Sequence, residues 1–147
     1  MMKLVDTNVW LALTLSKHAL HRATRAWLEE TTSQDRLLFC RSTQQSYLRL
    51  LTTAQVLAPY GNPPLSNSQA WQAYQTWVRT DGVSFVEEPP DLEENWKAGA
   101  VRDTPSPKLW MDAYLAAFAM SGGYQLVTTD KAFKQFKRLE LRLLSSV

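Results

Sequence analysis

Cysteine is almost absent: Cys40 stands alone among 147 residues. An internal disulfide and a cysteine-rich metal centre are therefore excluded. Inside the apolar run Leu37-Leu38-Phe39-Cys40, that thiol reads as a small core residue. Histidine is scarce as well. His18 and His21 stand three apart with no acid partner close in sequence, which suits surface or capping residues better than ligands. No apolar run approaches the ~20 residues of a membrane helix. The start, Met1-Met2-Lys3-Leu4-Val5-Asp6, puts an acid where a secretory leader needs apolar residues, so the expected location is the cytoplasm. Neither sign of charge is in large excess, since 16 basic and 14 acidic residues leave +2. That balance does not by itself argue for nucleic acid. No internal repeat, low-complexity stretch or composition break suggests a second domain. A chain of this length is one domain on the usual prior, and it can bury roughly 68–70% of its unfolded surface without a covalent staple.

The charge that is present is unevenly placed. Glu87, Glu88, Asp91, Glu93 and Glu94 fall close together, whereas the stretch from Lys131 onward holds Lys131, Lys134, Lys137, Arg138 and Arg142 against Glu140 alone. A basic end facing away from an acidic middle suits a polyanion, and equally a set of solvated helix faces.

Hydrophobic spacing alternates between strand and helix. Short strands are expected at Lys3–Thr7, Leu37–Cys40, Val83–Val86, Tyr124–Thr129 and Leu141–Ser145. Helical spacing covers Asn8–Leu15 (a short helix or turn), His18–Thr32, a segment capped by Ser42 or Thr43 and running toward Leu57, a segment capped by Ser66 or Ser68 and running to Val78, Leu92–Val101, Leu109–Met120 and Lys131–Phe136. Gly122-Gly123 closes the apolar Leu109–Met120 helix. This alternation predicts an α/β sandwich with a mainly parallel sheet of about five strands, covered on both faces. Such sheets carry their sites at the carboxyl ends of the strands.

Two acids lie at those ends, Asp6 after Leu4-Val5 and Asp130 after Leu126-Val127-Thr128-Thr129. A third, Asp112, interrupts the apolar stretch Leu109–Ala117, where an unpaired buried charge costs several kcal/mol. Each has a local explanation: an Asx turn for Asp6, a helix-dipole partner for Asp112, an N-cap for Asp130. Together they can converge on one sheet edge. Clustered carboxylates raise one another's pKa, a bound cation relieves this, and oxygen-only ligands select a hard ion such as Mg²⁺ or Mn²⁺. Ions of that kind bind phosphate oxygens and activate water, so the pattern points to phosphodiester hydrolysis.

Three blocks carry a family resemblance. Lys3-Leu4-Val5-Asp6-Thr7-Asn8-Val9-Trp10-Leu11 resembles the opening strand of PIN-domain ribonucleases. Trp110-Met111-Asp112-Ala113-Tyr114-Leu115-Ala116-Ala117-Phe118-Ala119 resembles their D-A-x-L-A-A-x-A helix, and Leu126-Val127-Thr128-Thr129-Asp130-Lys131-Ala132-Phe133 their L-V-T-x-D-x-x-F block. Order and spacing match over nearly the whole chain, and the nearest group is the VapC-type toxin of bacterial toxin–antitoxin pairs. The resemblance implies a PIN-like three-layer α/β/α sandwich, Mg²⁺- or Mn²⁺-dependent RNA cleavage by Asp6, Asp112 and Asp130, a homodimer and a cognate antitoxin.

One departure stands out. PIN nucleases usually carry a fourth acid on the helix after the second strand, but Arg41–Thr52 holds no carboxylate. By register Ser46 takes that place, with Gln44 a half-turn earlier; a VapC-like subgroup has the same T-Q-x-x-x-L-R-L-L-T pattern. A hydroxyl or amide there can hold a metal-bound water but adds no charge, which implies one well-held ion rather than two. Gln44 equally suits a backbone hydrogen bond at the helix start. Arg49 suits phosphate, or a helix-surface salt bridge. Thr7, Asn8 and Thr129 flank the acids and can orient ligands or water, or simply form turns. Trp71, Tyr74 and Trp77 share a helical spacing that fits the core or an interface ridge for a second copy or an antitoxin. The competing function is a PIN-like module that lost cleavage with its fourth acid and binds RNA or protein. An aspartyl-nucleophile hydrolase built on Asp6 is disfavoured, because Asn8 stands where a second Asp is wanted.

Overall fold

The computed structural model describes residues 1–145. Strands β1 (Met2–Val5), β2 (Arg36–Phe39), β3 (Val83–Phe85), β4 (Gln125–Thr128) and β5 (Leu141–Leu143) form one sheet, ordered β3-β2-β1-β4-β5 and parallel at every pairing. The helices are α1 (Thr7–Thr14), α2 (His21–Glu30), α3 (Arg41–Leu51), α4 (Ala54–Leu57), α5 (Asn67–Val78), α6 (Leu92–Ala100) and α7 (Pro107–Gly122), with 3-10 turns at Ala58–Tyr60 and Lys131–Gln135.

The central strands are apolar on both faces because both faces are covered. Leu4, Leu38 and Leu126 point to one side, into a core closed by Leu92 of α6 and by Leu115 and Phe118 of α7. Val5, Leu37, Phe39 and Val127 point to the other, against Val9 and Trp10 of α1, Trp27 of α2, Tyr47 and Leu51 of α3 and Tyr74 of α5. The Trp10 indole lies flat on the Phe39 ring, 4.1 Å between centroids and 8° between planes. Helices on both faces of an all-parallel sheet make the three layers that the alternation predicts. Cys40 is buried and free, as its apolar neighbours suggest.

β1 is the middle strand. From it the chain builds outward through β2 and β3, then returns to the other side of β1 to add β4 and β5. The connections therefore diverge at the carboxyl ends of β1 and β4, which opens a crevice there.

Several boundaries differ from the sequence reading. α3 starts at Arg41 rather than after Ser42 or Thr43: the Thr43 hydroxyl lies inside the first turn and accepts the Cys40 N–H at 3.0 Å. The helix expected to run on to Leu57 breaks after Leu51. There Thr52 Oγ1 donates to the Leu48 and Arg49 carbonyls and Thr53 Oγ1 to that of Arg49, so hydroxyls compete with the backbone ladder. α2 begins at His21 because His18 is spent on a turn. Its Nδ1 accepts the Leu20 N–H at 3.0 Å and its ring stacks on Tyr60. The expected ridge on α5 largely dissolves. Tyr74 is buried, and the Trp77 indole donates to Thr14 Oγ1 at 3.1 Å and tilts against Trp10, leaving Trp71 as the ring that faces out, 44% exposed. No helix among the described residues is long and apolar enough to cross a membrane.

Candidate active site

Asp6 sits where β1 becomes α1. Its N–H donates to Val127 O at 2.9 Å, which clamps the end of β1 to β4. Its carboxylate has two functions. Oδ1 accepts the Thr7 N–H at 2.7 Å and caps α1; Oδ2 accepts from Thr128 Oγ1 at 2.7 Å and from Asn8 Nδ2 at 3.3 Å. Asn8 ties the two strand ends together further, because its Oδ1 accepts the Thr129 N–H at 3.2 Å. Burial raises the Asp6 pKa; the Thr128 hydroxyl and Thr7 N–H oppose this, while the negative charges of Asp112 and Asp130 add to the rise.

Asp130 follows the same plan two residues beyond β4. Oδ1 accepts the Ala132 N–H at 2.9 Å and caps the 3-10 turn, while Oδ2 faces Lys108 Nζ at 2.9 Å. Asp112 lies one helical turn after Lys108 in α7, and its Oδ2 accepts from the same Nζ at 3.0 Å. One ammonium thus bridges two carboxylates from different elements. Burial works to raise the Asp130 pKa, but the Ala132 N–H and Lys108 outweigh it and hold the carboxyl below its ordinary value. The two carboxylates together hold the Lys108 pKa above its ordinary value.

These groups line a cleft of about 380 Å³ at the carboxyl edge of the sheet, with Asp6, Asp112 and Asp130 on its walls together with Thr7, Asn8, Ser46, Arg49 and Lys108. The crevice that the topology opens is therefore acidic at its base. Ser46 and Arg49, three apart on α3, share the face that looks into it. Arg49 is exposed and pairs with no carboxylate among the described residues, so the salt-bridge reading does not apply. Gln44 is placed elsewhere. It is buried on a different face of α3, its Oε1 accepting from Arg41 Nη1 at 2.6 Å, because two residues along a helix turn a side chain far round the axis. Thr129 contributes its N–H to Asn8, whereas the hydroxyl on Asp6 belongs to the buried Thr128. The sequence reading named Thr129 but neither Thr128 nor Lys108. The available signal for the lysine was its i,i+4 spacing to Asp112.

The donors suit a hard divalent cation. They are carboxylate oxygens, and two of them already share one positive charge. Among the described residues no three acidic, histidine or cysteine side chains stand close enough to hold an ion directly. Lys108 stands between Asp112 and Asp130, while Asp6 is held by Thr7, Asn8 and Thr128. The Lys108 side chain is 69% exposed and free to leave, so the residues fit a metal once it moves.

The chain is thus a three-layer α/β/α protein with acids at the carboxyl ends of β1 and β4 and on the helix that precedes β4. The PIN domain profile matches residues 3–139, and the chain belongs to the PIN domain family. It is 56% identical over 145 residues to Ribonuclease VapC41 of Mycobacterium tuberculosis, covering 98% of this chain and 99% of that one. Ribonuclease VapC29 of the same organism is 31% identical over 127 residues, 86% of this chain and 84% of that one. Among solved structures, VapBC2 from Rickettsia felis bound to a promoter DNA fragment superposes with a TM-score of 0.72 at 11% identity, over 99% of this chain and 100% of that one. Mycobacterium tuberculosis VapC20, a sarcin-ricin loop cleaving toxin, gives 0.65 at 20% identity, over 95% and 98%. These two likenesses concern the fold.

Proposed function

We propose that the chain is a metal-dependent ribonuclease that hydrolyses RNA phosphodiester bonds and acts as the toxin of a toxin–antitoxin pair. The observation that carries this reading is the convergence of Asp6, Asp112 and Asp130 on one cleft. Full-length likeness to a protein named as a ribonuclease supports the substrate class. Asp6, Asp112 and Asp130 would hold Mg²⁺ or Mn²⁺. Bound there, the ion supplies charge to phosphate oxygens and lowers the pKa of water.

The protein's own groups do the rest. Thr128 and Asn8 fix the rotamer of Asp6 by bonding its Oδ2, and the Thr7 N–H fixes the other oxygen. Arg49, which lines the cleft and has no ion-pair partner among the described residues, offers a planar fork to the RNA backbone. Ser46 presents a hydroxyl where a fourth acid is usual, so the site carries a formal charge of three carboxylates.

The partners proposed are RNA, a second copy of the chain and a cognate antitoxin. The fold neighbours include VapBC proteins and a toxin–antitoxin complex from Klebsiella pneumoniae, whose TM-score is 0.54. Exposed Trp71 lines a groove of about 310 Å³ with Leu48, Arg49 and Thr52, next to the acidic cleft. The proposed activity is placed in the cytoplasm, where RNA is made.

The test is cleavage of RNA by the purified protein with Mg²⁺ or Mn²⁺. Asp6→Asn, Asp112→Asn and Asp130→Asn are each expected to abolish it while the fold survives. Cleavage at the wild-type rate in any of the three, under matched metal, would overturn the three-acid mechanism.

A further inference from the structure

Lys108 occupies an unfavourable place for a cation. It is the second residue of α7, in the first turn, where the helix dipole disfavours positive charge. What holds its ammonium there is the pair of acids: Asp112 Oδ2 at 3.0 Å and Asp130 Oδ2 at 2.9 Å, one from its own helix and one from the end of β4. Neither carboxylate has another ion-pair partner among the described residues.

We propose that Lys108 is a tethered counter-ion that occupies the metal position and must be displaced for a divalent cation to bind, so that it sets the metal concentration at which the site loads. The inference rests on the metal-site reading above. Direct Mg²⁺–oxygen bonds are about 2.0–2.1 Å long, and an ion that close to both Oδ2 atoms leaves no room for an ammonium contacting the same two atoms. Occupancy by Lys108 and by metal is therefore mutually exclusive. Without metal, Lys108 neutralises two carboxylates that would otherwise repel each other and Asp6. With metal, its 69% exposed side chain can swing into solvent with little loss of packing.

The test is isothermal titration of Mn²⁺ into the wild-type protein, Lys108→Met, Lys108→Arg and Asp112→Asn at one pH and one ionic strength. Lys108→Met is expected to bind roughly 2- to 30-fold more tightly than wild type, the factor that two part-exposed ion pairs represent. Lys108→Arg keeps the charge and should stay near wild type. Thermal unfolding supplies a second readout. Lys108→Met should melt below wild type in chelator and at or above it in saturating Mn²⁺, a reversal that loss of an ordinary surface salt bridge does not produce. Unchanged or weaker Mn²⁺ affinity in Lys108→Met, with binding still abolished by Asp112→Asn, overturns the competition and leaves the metal site standing. Mn²⁺ binding that survives Asp112→Asn overturns the site reading and this inference with it.

Discussion

Asp130 shows how a single carboxylate divides its work. One oxygen caps a 3-10 turn and the other faces the cleft, so its ionised form is stabilised by the fold even without metal. Its folded-state pKa is lowered below 3.8, which means its contribution is present above that pH and is lost as the pH falls through the lower, folded value. In chelator, wild type is expected to unfold at a higher temperature than Asp130→Asn near pH 7, with the gap closing on acidification below about pH 4. A gap that stays constant with pH would show that the Ala132 and Lys108 contacts do not favour the ionised form. Ser46 offers the complementary change. It faces the cleft from α3, so Ser46→Glu should raise Mn²⁺ affinity or add a second, weaker ion in a titration. Unchanged affinity and stoichiometry would place the missing charge at another position. These residues also show what a sequence can reveal. That the three acids meet at one cleft was legible because Asp6 and Asp130 follow apolar strands and Asp112 interrupts an apolar helix. Gln44 and Ser46 could not both face the cleft, because two positions along one helix point to different sides; Ser46 lines it and Gln44 is buried against Arg41.

Helix α7 carries the most of any element: the core of one face, Asp112 and Lys108. It opens on Pro107, whose missing N–H costs nothing at the first helical position, and it ends at Gly123 with φ +71°. No heavy atom crowds the position where a Gly123 Cβ would stand, so an alanine there should suffer from backbone conformation alone. Gly123→Ala is expected to cost about 1–2 kcal/mol and to lower the melting temperature by roughly 2–8 °C in a chain of this size. Gly123→Asn should cost less. Equal stability of Gly123→Ala and wild type would mean that the helix ends differently in solution. The glycine end of α7 was visible in Gly122-Gly123, whereas its start was expected at Leu109 and lies at Pro107, since a proline at the first helical position also reads as a break. The break in the helix expected to reach Leu57 was not visible, since Thr52 and Thr53 break it through bonds to carbonyls one turn back, and threonine inside a helix gives no such warning by identity. The α5 aromatics were ambiguous for a related reason. Spacing puts Trp71, Tyr74 and Trp77 on neighbouring positions but does not say which is drawn inward; Thr14 and Trp10 decide it by capturing Trp77.

The molecule as a whole joins stability to metal. If Asp6, Asp112 and Asp130 hold an ion only when folded, Mn²⁺ must raise the unfolding free energy, by about 2.7 kcal/mol at a hundredfold excess over the dissociation constant. A melting curve should shift upward with Mn²⁺ in wild type and remain unmoved in Asp6→Asn. An equal shift in both proteins would place the ion elsewhere. The five-strand parallel layout was readable from the alternation of short apolar runs with helical spacing, because a strand covered on both faces has little choice of residue. The strand order was not readable from periodicity, which is blind to which strand lies in the middle. The crevice between the ends of β1 and β4 follows from that order.

The β1–β4 pairing also sets a clock. Leu4 lies beside Leu126, and Asp6 bonds Thr128 across nearly the whole chain. During synthesis, at about 5–20 residues per second, the earliest acid of the cleft waits several seconds for its neighbours to be made. No shorter nascent chain can carry a complete cleft. Contacts so distant in sequence also make this closure a late and slow event in folding. The cleft is therefore complete only after Asp130 has been translated and docked, so any chemistry that needs all three acids starts no earlier than that.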